Sequence, residues 1–176
     1  MVVGLSGGPD STRLEIRPIE AGDKADLATA VEQSSGEAVY RRFLGPHGPL
    51  TDTELRYLTE VDHHDHEAVV AVNPESGRSV GVARYIRDRE RRDSAEIAVS
   101  VLESWQGRGV GKALMRALAD RAREEGITRF TALMLAHNRP MRQLLADLGP
   151  PRVLSTAAGA IELAVELSRE QPTARP

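Results

Sequence analysis

The sequence predicts one α/β or α+β domain built on a mixed sheet, and two observations carry that prediction. Short alternating apolar runs are interleaved with helical spacings, in the order strand, helices, three strands, helix, strand, helix, two strands. Between the last of the three consecutive strands and the next helix stands QGRGVGK, Gln106 to Lys112, with three glycines and two cations in seven residues. Consecutive hairpin strands ahead of that loop exclude a doubly wound parallel sheet.

The elements follow in order. RLEIRPI, Arg13 to Ile19, alternates Leu14, Ile16 and Ile19 against charges and reads as the first strand. DKADLATAVEQ puts Leu27, Ala30 and Val31 on one helical face. SGEAVYRRFLG has Ser34 and Glu37 at capping-box spacing, with Val39, Tyr40, Phe43 and Leu44 as its apolar face. After a break at Gly45 to Pro49, TDTELRYLTEV repeats the capping box with Thr51 and Glu54 and presents Leu55 and Leu58. From Glu67, EAVVAV, SVGVARYIRD and SAEIAVSVL are strands, separated by the turn NPESGR and the charged loop Asp88 to Asp93. The helix after the glycine loop carries Val110, Ala113, Leu114, Ala117, Leu118 and Ala122 at helical spacing as far as Glu125. TRFTALML is a strand, and NRPMRQLLADLG a short helix ending at Gly149 as a C′ glycine. PRVLST and AIELAVEL close the chain around Ala158-Gly159.

Bulk properties exclude several function classes. The 176 residues fit one domain, read as 13–168, between flexible tails at 1–12 and 169–176. A net charge of -3 and 3% aromatic residues argue against a nucleic-acid partner. No apolar run reaches the ~18 residues of a membrane span, and the start lacks a secretory pattern. The absence of cysteine removes disulfides and thiolate chemistry and suits a cytoplasmic setting.

A free helix N-terminus offers unpaired N–H groups and partial positive charge to an anion, and glycine lets that anion reach the backbone. Gly107, Gly109 and Gly111, with Arg108 and Lys112, make such a nest around Val110, where the helix begins. A nucleotide P-loop fails on residues: Gln106 stands where its first glycine belongs, and Ala113 where its magnesium-binding hydroxyl belongs. The dinucleotide fingerprint fails because the spacing is G-x-G-x-G.

The surviving pattern is Q-x-x-G-x-G, Gln106, Gly109 and Gly111, followed by N-x-x-M and LG. It resembles the pyrophosphate loop of the GNAT superfamily of acyl-CoA-dependent N-acyltransferases, over roughly residues 13 to 167. The resemblance implies a mixed, mostly antiparallel sheet of about seven strands flanked by about four helices. It also implies that acetyl-CoA is the co-substrate. Val99 and Val101 would bind the pantetheine arm through their backbone, where the strand bulges and splays from its neighbour. Gln106 to Lys112 would hold the diphosphate, and Asn138 would help hold the cofactor. EAVYRRFLGP, LRYLTEVDHHDHEAVVAV, GVARYIRD and AEIAVSV together look like the catalytic domain of Pat-type bacterial protein-lysine acetyltransferases. That subgroup points to a protein lysine as acceptor. A small primary amine is the enzymatic alternative, a non-catalytic acyl-CoA sensor the non-enzymatic one, and a homo-oligomer is compatible with either.

The chemistry needs a base. A lysine amine with pKa near 10.4 is neutral only about once in 2,500 at pH 7, a handicap of roughly 4.6 kcal/mol. Glu96 shares a strand face with Ala98 and Ser100, opposite Ile97, Val99 and Val101. The Pat-type pattern carries its general base at the matching position. A backbone N–H around Val99, freed by the bulge, is the expected oxyanion donor. Two family features are missing: Leu145 replaces the tyrosine expected seven residues after Asn138, and Pro150-Pro151 replaces the aromatic after LG. His63, His64 and His66 with Asp62 and Asp65 form a rival metal pattern, but in a polar loop, so no metal is assigned. Asp62 or His66 lining the acceptor site is the stronger reading. Trp105 is expected to pack over the strand end.

Overall fold

The computed structural model describes residues 1–4, 13–32 and 48–167. The helix expected around Ser34, Glu37, Val39, Tyr40, Arg41, Arg42, Phe43 and Leu44 and the tail at 169–176 lie outside the described residues.

Eight strands form one sheet: β1 Val2–Gly4, β2 Arg13–Pro18, β3 His66–Asn73, β4 Arg78–Arg87, β5 Ser94–Val101, β6 Arg129–Leu135, β7 Arg152–Ala157 and β8 Ala160–Glu166. Their spatial order is β1-β2-β3-β4-β5-β6-β8-β7. Neighbours are antiparallel except β5 and β6, which are parallel. A parallel pair needs a crossover, supplied by helix α3, Val110–Glu124. The other α-helices among the described residues are α1 Lys24–Glu32, α2 Asp52–Thr59 and α4 Arg139–Ala146.

The extra strand is β1, placed in a flexible tail by sequence. Its residues pair with Arg13 to Glu15, and Met1 exchanges hydrogen bonds with Ile16 through its ammonium and its carbonyl, both at 2.7 Å. A β2 edge left bare would expose a row of unpaired backbone groups, and a short strand covers it.

The main core lies between the sheet and α3 with α4, built on Leu14, Tyr85, Ile97, Leu114, Leu118 and Phe130. A smaller cluster, Ile19, Ala68, Val70 and Val72, covers the other sheet face with Val61 and Val82. β3 is therefore buried on both faces, and its run EAVVAV is continuous rather than alternating. The α2 capping box forms as expected, with Thr51 N–H donating to Glu54 Oε2 at 2.8 Å and Glu54 N–H to Thr51 Oγ at 3.3 Å. The β7–β8 hairpin closes on Ala158 and Gly159, both at positive φ.

Gly149 corrects one expectation. The helix ends at Ala146, and a Cβ on Gly149 would meet the Glu166 carbonyl at 3.1 Å. Close approach to β8, rather than a left-handed cap, requires glycine there. Among the described residues no helix is long and apolar enough to cross a membrane.

Candidate active site

β5 is held on one side along its length and on the other for only three residues. Its register with β4 runs unbroken from Ala95 opposite Arg87 to Val101 opposite Gly81. Pairing with β6 stops after Glu96 opposite Thr131. Beyond that point the two parallel strands splay. At the ends of the β4–β5 ladder, Leu102 N–H donates to Val80 (3.0 Å) and Asp88 N–H to Ser94 (2.9 Å). Alternate residues of a strand turn their amide groups to the same neighbour, so even-numbered residues face β4. The Ile97 carbonyl and the amide groups of Val99 and Val101 therefore face the gap, while the Ile97 N–H makes the last ladder bond, to Thr131. The expected bulge in β5 is absent, because its register does not shift. Divergence of β6 opens the backbone of Val99 instead.

The glycine loop closes the wide end of the gap. A 3-10 turn at Glu103–Trp105 reverses the chain, with Trp105 N–H bonded to Leu102 at 2.8 Å. The Gln106 side-chain amide donates to the Val101 carbonyl at 3.0 Å, tying the loop to the last residue of β5. Gly107 and Gly109 have φ of +72° and +84°, in the region where only glycine is unstrained. Gly109 is the N-cap of α3, and no side chain caps it. The N–H groups of Val110, Gly111 and Lys112 therefore lack intrahelical acceptors and form the anion nest. Gly111 has a different reason to be glycine: an added Cβ would lie 3.3 Å from Leu144 of α4. It seats α4 against the start of α3.

The loop cations have exchangeable partners. Arg108 lies over the Trp105 ring, 5.2 Å from its centroid, and Trp105 packs against the main core as expected. Lys112 Nζ reaches Asp147 at 3.1 Å and, with Gln143, holds that carboxyl below its usual range. The pair is surface-exposed and contributes little stability. A phosphate can compete for either cation. Asn138 caps α4, its Oδ1 accepting from Met141 N–H at 3.1 Å. Leu145 is wholly buried, so nothing at that position can serve as an acid near a leaving group.

Glu96 sits at the apex of the splay with an exposed side chain. Across the sheet it neighbours Ile86 and Thr131; Ala98 stands opposite Arg84, and Ser100 opposite Val82. On this face α1, Leu50 and α2 border a cleft lined among others by Leu27, Leu58, Arg84 and Ser100. The glycine loop and the open backbone of Val99 thus lie toward one end of β5 from Glu96, and the cleft reaches the same strand at Ser100.

Of the two residues that meet on this face, His66 was a candidate in the sequence and Arg84 stands out only in three dimensions. Arg84 is buried, and its Nη1 lies 3.1 Å from the Leu58 carbonyl and 3.2 Å from His66 Nε2. A cation in the middle of the apolar run GVARYI was the available signal. His66 stacks on Tyr57 at 5.0 Å, and burial followed by the Arg84 charge pushes its imidazole down to about 4. The neighbouring imidazoles turn elsewhere, His63 to Glu67 (2.8 Å) and His64 to Glu125. Asp62 does not line the cleft. It accepts from the backbone N–H groups of His64, Asp65 and His66, fixing the loop.

Comparison with known proteins agrees with this geometry. The Acetyltransferase (GNAT) family pattern matches residues 36–149. Acetyltransferase Pat of Mycolicibacterium smegmatis is 37% identical over 134 residues, which are 76% of this chain and 40% of that protein. The chain thus spans well under half the length of that relative. An acetyltransferase of Pseudomonas aeruginosa is 32% identical over 80% of this chain and 76% of its own. Among solved structures, the GNAT domain of S. lividans PAT superposes with a TM-score of 0.84 at 31% identity, covering 95% of this chain and 96% of that one.

Proposed function

We propose that this chain, which belongs to the GNAT family of acetyltransferases, moves an acetyl group from acetyl-CoA to a primary amine, a protein lysine by preference, with Glu96 as general base. The observation that carries the reading is the splay of β5 from β6, with Glu96 at its apex and the glycine nest at its mouth. The lysine preference rests on likeness to the PAT domain and to Pat-type acetyltransferases.

The residues fit the co-substrate. The N–H groups of Val110, Gly111 and Lys112 bind the diphosphate, assisted by Arg108 and Lys112. The gap-facing backbone of Val99 and Val101 binds the pantetheine amides as a β-strand would, and Asn138 flanks it across the splay. Bound there, acetyl-CoA supplies an activated thioester. Glu96 takes a proton from the incoming ammonium, directly or through one water. The amine nitrogen then bonds to the acetyl carbon and gives up its second proton to solvent as the carbon–sulfur bond breaks. The Val99 N–H donates to the oxygen that gains charge. With Leu145 buried, solvent protonates the departing thiolate. Residues 13–168 form the catalytic unit, working where acetyl-CoA is made, in the cytoplasm.

A thiol-release assay with acetyl-CoA and a panel of lysine peptides and amines tests this. Glu96→Gln is expected to keep CoA affinity and lose at least about a hundredfold in kcat. Equal turnover across pH 6 to 9 would remove Glu96 from the mechanism. The buried Leu145 favours one second reading, a non-catalytic acyl-CoA sensor, in which the parent chain binds CoA and releases no thiol with any amine.

A further inference from the structure

We infer that the strip of sheet beside Glu96, carrying Ile86 on β4, Leu133 on β6 and Glu162 on β8, is a docking platform for a lysine-bearing polypeptide with basic flanking residues. This rests on Glu96 acting on an amine, as proposed above. Register defines the strip. Glu96 stands opposite Ile86 and Thr131; Leu133 is two residues along β6 from Thr131 and opposite Glu162. Directly opposed residues share a sheet face at about 5 Å, and residues two apart on a strand share it too. Four adjacent strands thus put these side chains on one face.

Exposure shows that this face is open to solvent. Ile86 is 41% and Leu133 49% exposed, whereas Tyr85, Ala132 and Met134, which point to the other face, are 2% or less. An open sheet face ordinarily carries polar residues. Here large aliphatic side chains on two strands flank a carboxylate. A lysine side chain is their complement, an apolar stem of four methylenes with a cationic tip. Its stem can lie against Ile86 or Leu133 while its nitrogen meets Glu96. Glu162 adds a second negative charge two strands from Glu96, its Oε2 held by the Ser155 hydroxyl at 3.1 Å. That carboxylate meets the residue beside the acceptor lysine and favours arginine or lysine there. A small free amine can satisfy Glu96 but cannot span to Leu133 and Glu162.

The test compares kcat/KM for a lysine-centred peptide with arginine flanks to kcat/KM for ethylamine, a primary amine without the stem. The chain itself carries only Lys24 and Lys112, so self-modification is resolved by mass. Ile86→Ala and Leu133→Ala are each expected to lower the peptide-to-ethylamine ratio about tenfold, with CoA affinity unchanged. Glu162→Lys should reverse the preference for arginine-flanked over glutamate-flanked peptides. A ratio and preference unchanged in all three variants overturn the platform. So does a dimer that Leu133→Ala dissolves with the ratio intact, which would make a second copy the occupant. If the parent chain binds CoA but acetylates no amine, the acyl-transfer reading fails and the platform falls with it.

Discussion

Among the three imidazoles of VDHHDHE, only His66 reaches the face that carries Glu96, through Arg84. Burial first, and then the Arg84 guanidinium, lower its pKa from the ordinary 6.5 to about 4, with Asp62 and Glu67 opposing. The folded chain therefore binds fewer protons at this ring than the unfolded chain between pH 4 and 6.5. Stability contributed by keeping the ring neutral is complete above about pH 6.5 and is lost as pH falls toward 4. His66→Gln should flatten that part of the stability–pH curve, read from urea midpoints at pH 7 and pH 4.5. If both proteins lose the same stability over the interval, the ring is not the source. Such partners are invisible in the sequence, where His66 could be read as lining the acceptor site but its contact with Arg84 could not.

The element that matters most is β5, and its two sides behave differently. Amide groups of Ala98 and Ser100 are engaged with β4, whereas those of Val99 and Val101 face the splay. Residue-resolved hydrogen exchange should find Val99 and Val101 fast and their even-numbered neighbours slow. Adding CoA should slow the gap-facing set selectively. Uniform protection along the strand without CoA would show that the gap is closed. The sequence made β5 legible as a strand because Ile97, Val99 and Val101 alternate with Glu96, Ala98 and Ser100. The splay was not legible from alternation, because it depends on how far β6 stays alongside, and the local pattern carries no record of that. The glycine loop was half legible. Spacing identified the nest, but the different demands on its glycines, positive φ at Gly107 and Gly109 and contact with Leu144 at Gly111, needed the packed helices.

At the scale of the molecule, α3 is pinned at both ends by different means. Its start is the open nest. Its last turn is fastened to β3 by Glu67, a fully buried carboxylate that accepts from Arg121 Nε (3.1 Å), the Ala68 N–H (2.8 Å) and His63 Nδ1 (2.8 Å). Glu67→Ala removes the buried partner of Arg121 and His63, leaving Arg121 with Glu124 and Glu125, and should cost about 2 kcal/mol by urea denaturation, discounted because Arg121 is partly solvated. The α3 axis is roughly 22 Å long at about 1.5 Å per residue, so CoA affinity should hold. A large loss of affinity would show that the two ends are coupled. The sequence by itself determined the mixed sheet, the order of its elements from Arg13 onward, the nest at Gln106 to Lys112 and Glu96 as candidate base. These follow from periodicity, glycine spacing and family likeness, all properties of contiguous residues. Only the tertiary structure decided that β1 covers the sheet edge and that Val99 is opened by splay rather than by a bulge. It alone placed Arg84 with His66, and Ile86 with Leu133, around Glu96. Each of these joins strands or helices remote in the chain, and such contacts depend on register and packing between elements, which no local pattern encodes.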